Sequence, residues 1–534
     1  MTDREETKRL LDDSDDADDG DIHENVREDS SEKEVFIFED AIKSTGYGKY
    51  HIYILLLCGW AVSSDAVEVL SVSFLLPSAS CDLHMNSADK GWLSAIVFVG
   101  MLVGGYLWGS LADRTGRRST LMWSLLLNGV GGLVSSTAQV FWFFLLMRFI
   151  SGIGVGGSIP VIFSYFVEFQ PKDRRGTMIS VLATFWMGGN IMAAGLAWIV
   201  IPHKTLGYFH PDFIYNSWRI FVALCTIPSL TSAAAFVLMP ESPKYLLTIG
   251  KHKEAIAVLS QVFHKNGGKG IFPVKYLVLS EDDKEEVTQH MDDRLHFSES
   301  PSPWYRCHIK NKCLSLLQRT FELFNPQLRR GSILLIIINF TLAFGYYGLF
   351  MWLPELFNRI QKYGGTPCNL APMNATHNST ACEDPGNQVY LEGFLTSISN
   401  LPGNILTIFL MDKLGRKLLL STSMVLSGLI VFFISMVRTN VENVVLSCVF
   451  GAVSTIGWNA LDVLFSELFP TRVRSTASGV VNGVGRLGAI LGNVVFGQLV
   501  DVSCAVPMIL VATLLSFGGL SSLKLPNTVR IDIH

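Results

Sequence analysis

Four ionisable side chains, Asp65, Glu68, Arg148 and Asp462, lie inside stretches otherwise apolar enough to cross a bilayer. A charge there costs about 2.5–3.5 kcal/mol on insertion scales, so it faces a cavity or a partner. Asp65 and Glu68 are three residues apart and share a helix face. Trp458 and Asp462, four apart with Asn459 beside them, form a second such face. An aromatic platform next to a carboxylate suits a sugar, which stacks an apolar face and donates hydroxyls, or a cation, which gains cation-π and ionic contacts. Trp186, Asn190, Trp198, Tyr346 and Tyr347 could complete the cage. Each aromatic also reads as packing, and Trp198, near a span end, as an interfacial anchor. No nucleophile with base and orienting group, no metal cluster and no Walker loop is present. Catalysis, metal, cofactor and ATP-driven transport are therefore not expected, and the energy source should be an ion or solute gradient.

A second set of polar residues is duplicated. GSLADRTGRR at 109–118 returns as FLMDKLGRK at 409–417, with Asp113, Gly116 and Arg117 mapping to Asp412, Gly415 and Arg416, each 299 residues on. Glu168, Pro171 and Arg175 return at the same offset as Glu467, Pro470 and Arg474. Two motifs sharing one offset mean a duplicated half. With Arg114 and Arg118 these residues form candidate ionic latches that close one face of a transporter.

The elements that must position these residues are membrane helices. A chain of 534 residues with 49% hydrophobic and 16% charged residues is too apolar for a soluble globule, in which roughly 25% are charged. Twelve apolar runs of near-spanning length follow one another, at about 51–77, 90–111, 119–137, 140–167, 177–201 and 218–239, then 331–357, 389–411, 418–436, 442–469, 475–500 and 504–525. The expected fold is an all-α membrane protein of two pseudo-symmetric six-helix halves, 49–239 and 331–525, joined by a polar loop at 240–330 and ending in a tail at 526–534. The Gly-x-Gly-x-Gly-Gly run in RFISGIGVGGSIP (148–160) follows no strand and sits within a span, so it reads as close helix packing rather than a phosphate cradle.

Sidedness follows from charge. The loops 112–118, 170–175, 412–417 and 470–474 carry 11 Lys or Arg, against Lys204, Arg359, Lys362 and Arg438 on the opposite side. The first set is cytoplasmic by the positive-inside rule, which makes both termini cytoplasmic and the 358–388 loop luminal. That loop carries the sequons Asn374-Ala-Thr and Asn378-Ser-Thr and the pair Cys368 and Cys382, for which glycans and a disulfide are expected. Cys58, Cys225, Cys448 and Cys504, in or at the edges of spans, read as small buried hydrophobes. The leader, 1–48, is acidic: residues 1–40 hold 17 acids and 5 bases, a net of −12 within a total of −4, leaving the remainder at +8. It should be disordered. Within it Glu6, Leu10 and Leu11 match the acidic dileucine pattern that clathrin adaptors select, which favours an intracellular vesicle or endosomal membrane over the plasma membrane. Basic residues sit between spans without interleaved exposed aromatics, so no nucleic acid partner is expected.

The repeated GSLADRTGRR resembles the loop signature of the major facilitator superfamily, and the likeness covers residues 50–525. RFISGIGVGGSIP, EFQPKDRRG and PESPKYLL (240–247) resemble its sugar-porter and organic-ion branch. DAVEVLSVSFLLPSA, FWMGGNIMAAGLAWIVIP, FGYYGLFMWLPE and GWNALDVLFSELFP look like the synaptic vesicle glycoprotein 2 family. The departure is the luminal loop, about 30 residues here, where that family's vertebrate members carry a large toxin-receptor domain; toxin binding is not carried over. The resemblance implies that Arg148 pairs with an acid of the first span, Asp65, which takes up a proton during coupling. The alternative is a permanent Asp65–Arg148 brace. It also places Trp198 and Trp458 at the family's central cavity. The function implied is proton-linked secondary transport of a small polar solute by alternating access; the competing reading is a non-transporting vesicle-membrane protein acting through its cytoplasmic segments.

Overall fold

The computed structural model describes residues 35–203, 206–210, 213–278, 320–321, 323–363, 365–366, 369–370, 385–437, 439–469 and 471–526. Twelve helical stations follow in the expected order: Lys49–Ser78, Ser87–Thr115, Arg117–Ser135, Phe141–Val167, Arg175–Val200 and Ser217–Val237, then Arg329–Lys362, Asn387–Leu414, Arg416–Ile434, Asn440–Leu468, Thr471–Leu499 and Ala505–Ser522. Eleven are long and apolar enough to cross a membrane. The third, Arg117–Ser135, falls short because Arg117, Arg118, Asn128 and several Ser and Gly dilute it, although its counterpart Arg416–Ile434 qualifies.

Local chemistry explains the boundaries. Asn86 caps the second span and Thr439 the tenth, each in a reciprocal capping box with the acid three residues on, Asp89 and Glu442. The turns between spans two and three and between eight and nine pivot on Gly116 and Gly415, both at positive φ (99° and 79°), a conformation that costs glycine least. That requirement accounts for one glycine in each copy of the repeated motif. The sixth span breaks at Thr226, just before Pro228, and the seventh at Met351–Trp352, just before Pro354.

Within the first half the second span packs on the fourth, the third on the fourth and sixth, and the first on the fifth; in the second half eight packs on ten, nine on ten and twelve, and seven on eleven. The same pairing recurs at matched stations, as a duplicated half demands. Spans two and four meet through glycine: a Cβ on Gly156 would lie 2.2 Å from the Met101 carbonyl oxygen, and one on Gly152 2.5 Å from that of Val97. Outward faces carry large exposed apolar residues such as Tyr106, Trp142 and Phe409, which water would not tolerate in such density and lipid does.

The halves meet through spans two and eleven, five and eight, and one with the end of seven. Two and eleven touch backbone to backbone at Gly91 and Gly497, at the end away from the basic loops.

The leader departs from expectation. Disorder through residue 48 does not hold for 35–48: Val35–Ile37 pairs in parallel with Tyr276–Val278, and Phe38–Ser44 is a helix whose Phe38, Ala41 and Ile42 are buried against the central loop. A continuous apolar run, VFIF, starts only at Val35, and it brings enough surface to offset ordering. The loop itself supplies two helices, Pro243–Thr248 and His252–Lys265. Glu6, Leu10, Leu11, Cys368, Cys382, Asn374 and Asn378 lie outside the described residues.

Candidate functional site

In the first half three spans, the first, third and fourth, bring their polar residues to one buried cluster. Arg148, from the fourth span, is fully buried, and its guanidinium bonds Glu68, with the Ser71 hydroxyl at 3.4 Å. Ser151, one turn on, donates to Glu68 and also meets Asn128 of the third span at 2.9 Å. Asp65 accepts instead from the Ser158 hydroxyl at 2.6 Å and the Asn128 amide at 3.4 Å. The expected Asp65–Arg148 pair is therefore not formed. Asp65 contacts the fourth span at Ser158, ten residues from Arg148, or about 15 Å of helix rise at 1.5 Å per residue. Glu68 sits one turn nearer and has the longer side chain. Asp65 is thus a fully buried carboxyl held by a hydroxyl and an amide, with no cation bonded to it among the described residues.

In the second half Tyr346 and Tyr347 of the seventh span close around Trp458 of the tenth, with ring centroids 6.1 and 5.9 Å away. Phe98 of the first half stacks its edge on this group, 4.8 Å from Tyr347. The Trp458 indole N–H is buried without a hydrogen-bond partner. Asp462 is exposed and acts electrostatically on Tyr347, whose hydroxyl is also bonded by Arg486 of the eleventh span. Asn459 turns to Asn404 at 2.7 Å. The expected cage is brought together only in part: Trp198 stacks on Phe394 at 5.4 Å, an aromatic contact between the halves, Trp186 packs in the core, and Asn190 is buried with its amide 3.9 Å from the Met187 sulfur.

The sequence reading leaves out several charges in or at the edges of the spans, among them Arg219, Glu355, Glu392, Arg486 and Lys90. Arg486 lies inside the eleventh span and Glu392 inside the eighth, where it is buried and held by the Gln388 and Asn440 amides; the same cost that singled out Asp65 applied to both. Lys90 lies at the edge of the second expected span, where a lysine reads as a boundary residue.

At the basic-loop end Arg117 bonds Glu168 at 3.3 Å and Asp113 at 3.5 Å, and Arg416 repeats the first contact with Glu467 at 3.1 Å. Burial pushes the Glu168 carboxyl above its ordinary range, against the pull of Arg117. Arg118 bonds the carbonyls of Phe236 and Val237 and meets Glu241 through its own backbone N–H; Tyr245 donates to the Arg114 carbonyl. None of these contacts crosses from one half to the other; Glu241 and Tyr245 belong to the start of the central loop. Arg175 pairs with Glu39 of the leader at 3.0 Å. The side chains of Asp412 and Arg474 lie outside the described residues. Gly109 has nothing within 4 Å of a built Cβ, so close approach does not explain it.

Cys81 and Cys504, at the opposite end, are both in disulfides. The reading of Cys504 as a small buried hydrophobe is corrected. Free cysteines among the described residues are Cys58, Cys225 and Cys448.

A family model described as Major Facilitator Superfamily matches residues 54–493 and 385–530. Synaptic vesicle glycoprotein 2C of Rattus norvegicus is 32% identical over 92% of this chain and 80% of its own length, and synaptic vesicle glycoprotein 2B of Mus musculus 32% over 92% and 85%. Among solved structures, the partially occluded inward-open xylose transporter XylE from E. coli superposes with a TM-score of 0.66 at 17% identity, covering 91% of this chain and all of that one.

Proposed function

The chain belongs to the major facilitator superfamily, with the synaptic vesicle glycoprotein 2 proteins among its relatives, and from that membership we propose that it is a proton-linked secondary transporter of a small polar organic solute, working by alternating access in a vesicle membrane. One observation carries the proton: Asp65 is buried with only Ser158 and Asn128 bonded to it, while Glu68 holds Arg148. The buried pair is already neutral, so it leaves Asp65 as the carboxyl whose charge must be cancelled by something that comes and goes, and a proton meets that description. The solute binds beside Trp458, where Tyr346 and Tyr347 supply ring faces, Asp462 a negative rim and Arg486 a positive one. Charges of both signs flanking an aromatic floor suit a zwitterion, a sugar or an organic cation. The leader's Glu6, Leu10 and Leu11 direct the protein to vesicles through clathrin adaptors.

The test is a solute-uptake screen in vesicles with an imposed pH gradient, followed by variants on the solute found. Asp65→Asn should abolish gradient-driven accumulation while solute exchange survives. Trp458→Ala and Asp462→Asn should weaken binding itself, by roughly tenfold or more for the tryptophan, since one buried aromatic is worth a few kcal/mol. Accumulation at the wild-type level by folded Asp65→Asn protein would remove the proton from the mechanism. A wild-type protein that accumulates nothing across a broad screen would leave the vesicle-membrane reading, in which the cytoplasmic segments carry the function.

A further inference from the structure

The buried ions at the end away from the basic loops join the two halves. Lys90, in the first turn of the second span, bonds Glu355, just past the break in the seventh, at 2.7 Å; their side chains are 9% and 3% exposed. The same Glu355 oxygen accepts from Arg359 at 3.0 Å, and Arg359 reaches on to Asp501 at 2.9 Å and to the Ser87 hydroxyl of the first half at 2.7 Å. Two bases and two acids make the set neutral. Its division is unequal: Glu355, Arg359 and Asp501 belong to the second half and Lys90 to the first.

We propose that Lys90 is the key of a luminal latch whose lock is the Glu355–Arg359–Asp501 triad, and that breaking Lys90 from Glu355 is the step that opens the luminal face in the transport cycle. This rests on the alternating-access reading above. The division of charge makes the latch reversible. When the halves part, Glu355 keeps Arg359 and Arg359 keeps Asp501, so no buried charge is stranded in the second half, while Lys90 swings to water at the span's end. The Lys90–Glu355 pair and the two bonds of the Ser87 hydroxyl, to Arg359 and to Asp501, are the contacts of this network that are lost. The latch does not come from the duplicated plan, because the repeat offset carries Lys90 to Val389, an apolar residue. Across the interface the other diagonal is closed by aromatics, with Trp198 on Phe394 and Phe74 beside Gly393. One diagonal is thus ionic and the other apolar. The Gly91–Gly497 crossing, one residue from Lys90, brings the backbones close enough for the lysine to reach.

Ser73 reports the latch, since it is buried between the halves in a pocket with Leu70, Phe74, Phe350, Leu353 and Thr396. With Ser73→Cys in the purified full chain, maleimide modification of residue 73 is followed by mass spectrometry. Lys90→Met, which leaves Glu355 its arginine and so should fold, is expected to raise the modification rate about tenfold by shifting the population toward the luminal-open state. Lys90→Arg should stay near the parent rate, while Lys90→Glu, which sets two carboxylates against each other, should be faster than Lys90→Met. An unchanged rate in Lys90→Met, or a Lys90→Glu rate no faster than the parent, would overturn the latch. The readout needs no solute, so a failed uptake screen and a failed latch are told apart.

Discussion

At the scale of the residue, the division of labour between Asp65 and Glu68 is the point on which the proposed proton coupling turns. Both are acids on one face of one span, and the sequence treats them alike. Their surroundings do not: Glu68 faces a fixed cation, Asp65 a hydroxyl and an amide. Removing Glu68's charge therefore strands a fully buried guanidinium, which by the behaviour of broken buried ion pairs costs about 3–5 kcal/mol. Removing Asp65's charge strands nothing. We expect Glu68→Gln to lower thermal stability sharply in detergent, and Asp65→Asn to leave it unchanged or raised, both read in one melting series. Equal losses would mean that the two acids share Arg148 and that the proton site has been assigned to the wrong residue. A similar contrast holds for Asp501. Burial alone would raise its carboxyl, yet the Ser87 hydroxyl and Arg359 hold it below the ordinary range. A depressed carboxyl contributes stability above its unfolded pKa and loses it as pH falls through the folded one. Its arm of the proposed latch should thus persist at mildly acidic pH.

At the scale of the element, the glycine-rich fourth span is legible as packing from the sequence alone, because no strand precedes it and apolar residues surround it. The structure adds where the glycines press: Gly152 and Gly156 lie against backbone carbonyls of the second span, which cannot move aside as a side chain could. Gly156→Leu should accordingly cost at least the 1–3 kcal/mol typical of overpacking, while Gly109→Ala, with open space around it, should be near neutral; detergent melting temperatures of the two variants would show it. Other elements were legible for equally local reasons. Asn86 and Thr439 begin spans because each is followed three residues later by an acid, and Gly116 and Gly415 stand where a left-handed turn is needed. What could not be read was register between helices. Whether Asp65 or Glu68 meets Arg148 depends on a relative slide of two spans by one turn, and no periodicity within either records it. The folding of residues 35–48 onto the central loop was equally hidden, because its partner Tyr276–Val278 lies some 240 residues away in sequence.

At the scale of the whole molecule, two equal halves are joined unequally, and sidedness decides what that means. Basic residues crowd one end of the bundle, and the opposite end holds both disulfide-bonded cysteines among the described residues, Cys81 and Cys504, together with the Lys90–Glu355 pair. Disulfides persist in oxidising compartments, while Lys and Arg accumulate in cytoplasmic loops. These signals arise from unrelated causes, redox chemistry and membrane insertion, and they agree. The 358–388 loop connects the seventh and eighth spans at the disulfide end, so its two sequons should face the glycosylating lumen. Wild-type protein from a eukaryotic host should fall in apparent mass on enzymatic deglycosylation, by two glycans' worth. Asn374→Gln or Asn378→Gln alone should fall by one, and the double variant not at all. If the double variant still shifts, glycan sits elsewhere and the loop assignment loses its support. If wild type does not shift, the bundle is inverted or the loop is closed to the transferase. Fresh reductant then separates those outcomes: Cys81 and Cys504 in a cytoplasmic inverted bundle would already be reduced in cells, and a thiol-alkylation mass shift before reductant would show it.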